Sequence, residues 1–121
     1  MAETVDLQAP VVGAGLVVAI GVLVYGRVVS ETVVGIDAVV GATWVLAATF
    51  AALAAIHASV GQYDLTLGHG GGAVGWLLVL LGSTAAHVAL GLGLLVLSGG
   101  YIAIRTRRRR DNGSGESTAE R

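Results

Sequence analysis

The 121-residue chain has no cysteine and only one proline, Pro10. Without thiols there is no disulfide framework, thiolate metal site or thiol redox centre. Lysine is missing too, and all seven basic residues are arginine. Charged residues of both signs make up only 12% of the chain, too few to cover the surface of a soluble domain this small. The N-terminal "MAETVDLQAP" carries Glu3 and Asp6 but no basic residue. The apolar run behind it therefore lacks the positive flank of a secretory signal and reads as a retained span. What is present is apolar: 55% hydrophobic residues, with 19 glycines in addition. The class is an integral membrane protein. Arginine as the sole basic residue, Val/Ala/Gly richness and an acidic tail fit a GC-rich, halophilic prokaryote, haloarchaea included.

Three apolar segments are long enough to matter, at about 10–27, 41–61 and 73–104. Pro10 suits a helix start, where the amide it lacks would have no partner anyway. The third segment exceeds the roughly 20 residues a bilayer requires, but cutting it in two leaves pieces too short to cross. Trp44 and Tyr63 bracket the second segment, and Trp76 and Tyr101 the third, as interfacial aromatics do. At 1.5 Å per residue these pairs lie roughly 28 and 37 Å apart. The expected fold is all-α, with three transmembrane helices, the N-terminus outside and the C-terminus cytoplasmic, multi-pass in the cell membrane. Residues 1–9 form an external arm, 10–104 the membrane domain, and 105–121 a basic, then disordered, cytoplasmic tail. Arg27 and the tail "RTRRRR" share one side, and the loop "QYDLTLGHGGG", without Arg or Lys, lies on the other, as the positive-inside rule requires. His69 is expected in that loop, exposed to solvent.

Small residues drive helix packing in lipid. Ala47, Ala51, Ala55 and Ser59 recur every four residues in the second segment, and Ala85, Ala89 and Gly93 do so in the third. Both stripes are expected to pack helices together. Ser83, Thr84 and His87 form a polar stripe in the third segment, and His57 sits in the second. Ionisable groups at membrane depth face protein or water, so these four are candidates for proton-linked or structural roles. His57 and His87 fall at different depths, which argues against their clamping one haem. Glu31 and Asp37 lie near an interface and are either solvated or proton-linked. Arg105, Arg107, Arg108, Arg109 and Arg110 suit anionic headgroups or set topology. No nucleophile–base pair, carboxylate dyad or metal cluster assembles from the sequence, so no catalytic, cofactor-binding or metal-binding residue is expected, and no nucleic-acid partner.

The stretch "GQYDLTLGHGGGAVGWLLVLLGSTAAHVALG" resembles part of subunit III of haem–copper terminal oxidases of the cytochrome c oxidase type. Gln62, Tyr63 and Asp64 resemble that family's Gln- and Tyr-bearing acidic motif, with aspartate in place of glutamate. Gly82, His87, Val88 and Gly91 match a helix reading roughly G-F-H-G-L-H-V-x-x-G, with Thr84 in place of its first histidine. The family's full form has about seven spans, more than this chain can hold. The resemblance implies a shortened accessory subunit without a redox metal, supporting assembly, lipid packing or proton uptake beside a catalytic subunit. The residues alone leave a second reading open: a small self-associating scaffold or regulator outside respiration, working through its arginines and tail. Expected partners are membrane lipids, other membrane subunits such as an oxidase catalytic subunit, and further copies of the chain.

Overall fold

The computed structural model describes residues 2–119, with side chains described for 7–115. It contains four long helices: α1 (Ala2–Val28), α2 (Ala38–Ser59), α3 (Tyr63–Leu81) and α4 (Ala85–Ala119). Each includes a stretch long and apolar enough to cross a membrane. The chain is therefore all-α and multi-pass but has four such helices, not three. The expected third span breaks at Gly82, where the backbone is extended (φ −68°, ψ 118°). Thr84 then starts α4: its Oγ1 accepts the His87 amide at 3.3 Å and lies 2.8 Å from His87 Nδ1. Thr84 thus caps the start of α4, with the His87 ring bonded to its hydroxyl. The half-span left before the break is completed by 63–72, the segment expected as an outer loop.

The connections are short. Between α1 and α2, β1 (Thr32–Val33) pairs antiparallel with β2 (Ile36–Asp37). Val34 and Gly35 turn between them with φ of 54° and 79°, the signs a tight primed turn requires. Asp37 then caps α2, its Oδ1 accepting from the amides of Val39 and Val40 at 2.9 and 3.1 Å. Its place near the interface thus reflects helix capping. Between α2 and α3, Gly61 supplies the positive φ, 74°, that reverses the chain.

Consecutive helices pack along their lengths, α1 on α2, α2 on α3 and α3 on α4. The contact faces match the expected stripes only at Ala47. In α2 the buried residues are Ala38, Ala42, Ala47, Leu53 and His57, while Ala51, Ala55 and Ser59 are exposed. In α4, Gly91 and Ser98 are buried, while Ala85, Ala89 and Gly93 face outward. The small residues that allow close approach sit instead on α3, where Gly68, Gly72 and Gly75 are buried. A β-carbon on Gly72 would overlap the Phe50 ring of α2, and one on Gly68 would stand 2.6 Å from Ile102 Cγ1 of α4. At Gly75 and Gly91 the two backbones themselves meet. A β-carbon on either would lie 2.9 or 2.7 Å from the other's carbonyl oxygen.

Four helices in sequence bring the chain back to its starting end. Gln8 of α1, His57 of α2, Leu65 of α3 and Arg109 of α4 border one cavity, so the termini share one end of the bundle, here called the tail end. The two ends of the chain, expected on opposite sides, thus lie at the same end of the bundle. Arg27 lies at the opposite end, beside Glu31 and Asp37, not with the arginine cluster. Residues 105–119, expected to leave the helix and become disordered, continue α4.

Gly75→Val should separate α3 from α4 and destabilise the protein by about 1–3 kcal/mol, the usual range for overpacking. Gly93→Val, where a β-carbon meets nothing within 4 Å, should leave thermal unfolding in detergent nearly unchanged.

Candidate functional site

The tail end gathers the densest polar chemistry. His57 closes α2 and His69 lies two turns into α3, and the tight turn at Gly61 stacks their rings at 4.9 Å between centroids and 24° between planes. Both are nearly inaccessible, at 2% and 4% exposure. The Phe50 ring lies 6.0 Å from that of His69, tilted by 44°. Gln62 Oε1 can only accept, so His57 Nδ1 donates to it, at 3.0 Å. Likewise His69 Nδ1 donates to the Leu65 carbonyl at 2.9 Å. In the neutral rings each Nε2 then carries a bare lone pair. His57 Nε2 is buried without a hydrogen-bond partner among the described residues.

Above this pair, Asp64 opens α3 and faces α4. Its Oδ2 lies 3.7 Å from Arg105 and 3.6 Å from Arg109, holding the end of α4 over the start of α3. Arg105 also stands 5.5 Å over the Tyr101 ring, within cation–π range. The acceptor and arginines are partly solvated, so each ion pair contributes at most about 1 kcal/mol.

Two spaces adjoin the histidines. A chamber of about 320 Å³ is bordered by Gln8, His57, Gln62, Thr106, Arg109 and Arg110. A second, of about 310 Å³, lies deeper, among Val12, Leu16, Phe50, Leu53, His69 and Gly99. Ile102 borders both. They run between α1 and α4, with α2 and α3 as the floor.

Of the expected site residues, the structure brings together His57, Gln62, Asp64, Arg105, Arg109 and Arg110. Tyr63 is exposed. Arg107 and Arg108 are also exposed and line neither tail-end chamber. Ser83, Thr84 and His87 lie at the opposite end, in and just after the α3–α4 turn, exposed. They are not the buried polar stripe of a continuous span, because Gly82 ends α3 and Thr84 caps α4. A β-carbon on Gly82 would lie 2.7 Å from His87 Cβ, Val88 is half-buried, and Gly91 meets Gly75. Gln62, Tyr63 and Asp64 start a helix, and a full helix separates them from Gly82, where the resemblance implies a short loop. His69, expected in a solvent-exposed loop, is the member of the site that the sequence reading missed. The signal was there: Leu65, Gly68, His69, Gly72 and Gly75 recur at helical spacing, and Gly68 with Gly72 forms a G-x-x-x-G pair.

The two histidine Nε2 atoms are chemically suited to a metal, but no group of three or more His, Cys, Asp or Glu converges to hold one among the described residues. The arrangement can accept a hydrogen bond at depth and attract an anion at its rim. Comparison with family models, curated proteins and solved structures finds no match to this chain.

Gln62→Leu should leave His57 with both ring nitrogens unsatisfied and cost about 1–3 kcal/mol. Asp64→Asn should cost under about 1 kcal/mol. Thermal unfolding of the two variants in one detergent checks the order.

Proposed function

We propose that the protein is a noncatalytic subunit of a larger membrane complex, docking through the outer faces of α2 and α4. The observation that carries this reading is the pair of small-residue stripes left outside the packed bundle: Ala51, Ala55 and Ser59 on α2, and Ala85, Ala89 and Gly93 on α4. Small residues gain little against acyl chains, whereas against another helix they permit close backbone approach. The bundle itself packs through other residues, so these faces are available to a partner.

The most specific form of the reading is an accessory subunit of a respiratory complex of the haem–copper terminal oxidase type. It is supported by the order of Gln62, Tyr63 and Asp64 followed by Gly82, His87, Val88 and Gly91. In this role the chain supplies packing, lipid retention or support for proton uptake, and no reaction of its own. Five arginines in 105–110 outweigh Arg27 at the other end, which puts the tail end in the cytoplasm and makes the cell membrane the expected location. A second reading follows from the same stripes docking on another copy, giving a self-associating scaffold whose arginine-rich helix end faces the cytoplasm.

Affinity purification of the tagged protein from native membranes in mild detergent separates the two. Oxidase subunits with their reduced-minus-oxidised haem bands, absent from a control tag, are expected for the accessory subunit. Ala55→Leu with Ala89→Leu should then reduce their recovery several-fold. Recovery of the chain alone as a homo-oligomer, from membranes that contain oxidase, contradicts the accessory reading and supports the scaffold.

A further inference from the structure

We infer that the cleft between α1 and α4 is a binding site for one anionic phospholipid with a hydroxyl-bearing headgroup. Its phosphate sits at the tail end and one of its chains descends between the helices. This inference is independent of the identity of any protein partner.

Three independent features converge on that ligand. The first is the ordering of the two spaces. The outer chamber is bordered by Gln8, Gln62, Thr106, Arg109 and Arg110, and the inner one is almost wholly aliphatic and aromatic, with Val12, Leu16, Leu46, Phe50 and Leu53. Each falls within the usual ligand-pocket range of about 300–1,000 Å³. From Arg109 to Gly99 the cleft descends roughly 15 Å along α4 at 1.5 Å per residue. A polar mouth above an apolar slot of that depth suits an amphiphile and does not suit a wholly polar solute.

The second feature is charge. Arg105, Arg107, Arg108, Arg109 and Arg110 cluster at this end, where Asp64 and Asp111 are the acidic residues among the described side chains. Asp64 lies between Arg105 and Arg109, and Arg110 borders the chamber without a carboxylate partner among the described residues. Arginine presents donors in a fork that matches phosphate oxygens. The last strongly apolar turn of α4 ends at Ile104, so these arginines stand at headgroup depth while Ile102 and Gly99 stand among acyl chains.

The third is the buried acceptor. His57 borders the outer chamber, is 2% exposed, and has an Nε2 without a partner among the described residues. Its Nδ1 proton is committed to Gln62, so Nε2 calls for a donor. A headgroup hydroxyl supplies one, whereas choline has no O–H or N–H to offer. This selects a phosphatidylglycerol-like lipid over a zwitterionic choline lipid and over an anionic lipid without a hydroxyl.

Native mass spectrometry of the full-length protein, released from detergent containing equal phosphatidylglycerol and phosphatidylcholine, tests the site. One retained phosphatidylglycerol is expected, preferred roughly tenfold, since arginines at headgroup depth attract an anionic headgroup. Arg109→Gln with Arg110→Gln should abolish the preference, and Arg107→Gln with Arg108→Gln, which removes the same charge outside the cleft, should retain it. Leu16→Trp, which fills the inner space, should weaken retention of either lipid. Glycerol phosphate in excess should not displace the lipid. Equal retention of the two lipids by the unaltered protein overturns the proposal, as does equal loss in the two arginine pairs. Displacement by glycerol phosphate assigns the chamber to a soluble phosphate and overturns the lipid source. The lipid competition on the unaltered protein decides the matter even if a variant fails to fold.

Discussion

The close approach of α3 to its neighbours is the constraint on which the rest of this structure depends. In a bilayer, association of helices relies on packing and not on removal of apolar surface from water. The glycines of α3 let Phe50 of α2 and Ile102 of α4 press onto its backbone, and at Gly75 and Gly91 two backbones touch. Without that face α3 would be a short, weakly apolar helix with nothing to hold it. With it, α3 becomes the central element, and α2 and α4 take their positions from it.

Those positions create the site. Because α2 and α4 both lean on α3 while α1 leans on α2, a cleft remains between α1 and α4 at the tail end. The same packing buries His69 beside His57 and brings Arg105 and Arg109 over Asp64. The two histidines meet because only a turn at Gly61 separates their helices. The polar rim and the apolar slot are thus consequences of one packing choice, and the small-residue faces left over on α2 and α4 are its counterpart outside the bundle.

Much of this was legible in the sequence. Composition alone identified a membrane protein, and the far ends of α1 and α2 followed from Arg27 and the apolar run up to Val60. Pro10, read as the start of the first span after an external arm 1–9, lies instead inside α1, which begins at Ala2. The third segment misled for a physical reason. "GHGGG" has the composition of a loop in water, where glycine leaves the backbone exposed and flexible. In a helix surrounded by other helices the same glycines are contact surface. Once 63–72 is counted as helix, the objection that a divided third span is too short disappears. "GSTAAH" then reads as a helix stop followed by a cap. The small-residue stripes misled for a related reason, since periodicity identifies a face but not what it packs against. His69 was missed with the loop that was thought to hold it.

The most direct measurement is a disulfide between α3 and α4 in the otherwise cysteine-free chain. A β-carbon on Gly71 would lie 3.7 Å from Ser98 Cβ, within the roughly 3.5–4.5 Å that a disulfide spans. Gly71→Cys with Ser98→Cys, mildly oxidised in intact membranes, should give an intramolecular bond seen as a dithiothreitol-sensitive mobility shift. Failure to form it, with both thiols shown to be present and reduced beforehand, would contradict a helical α3 packed on α4 and return 63–72 to the loop.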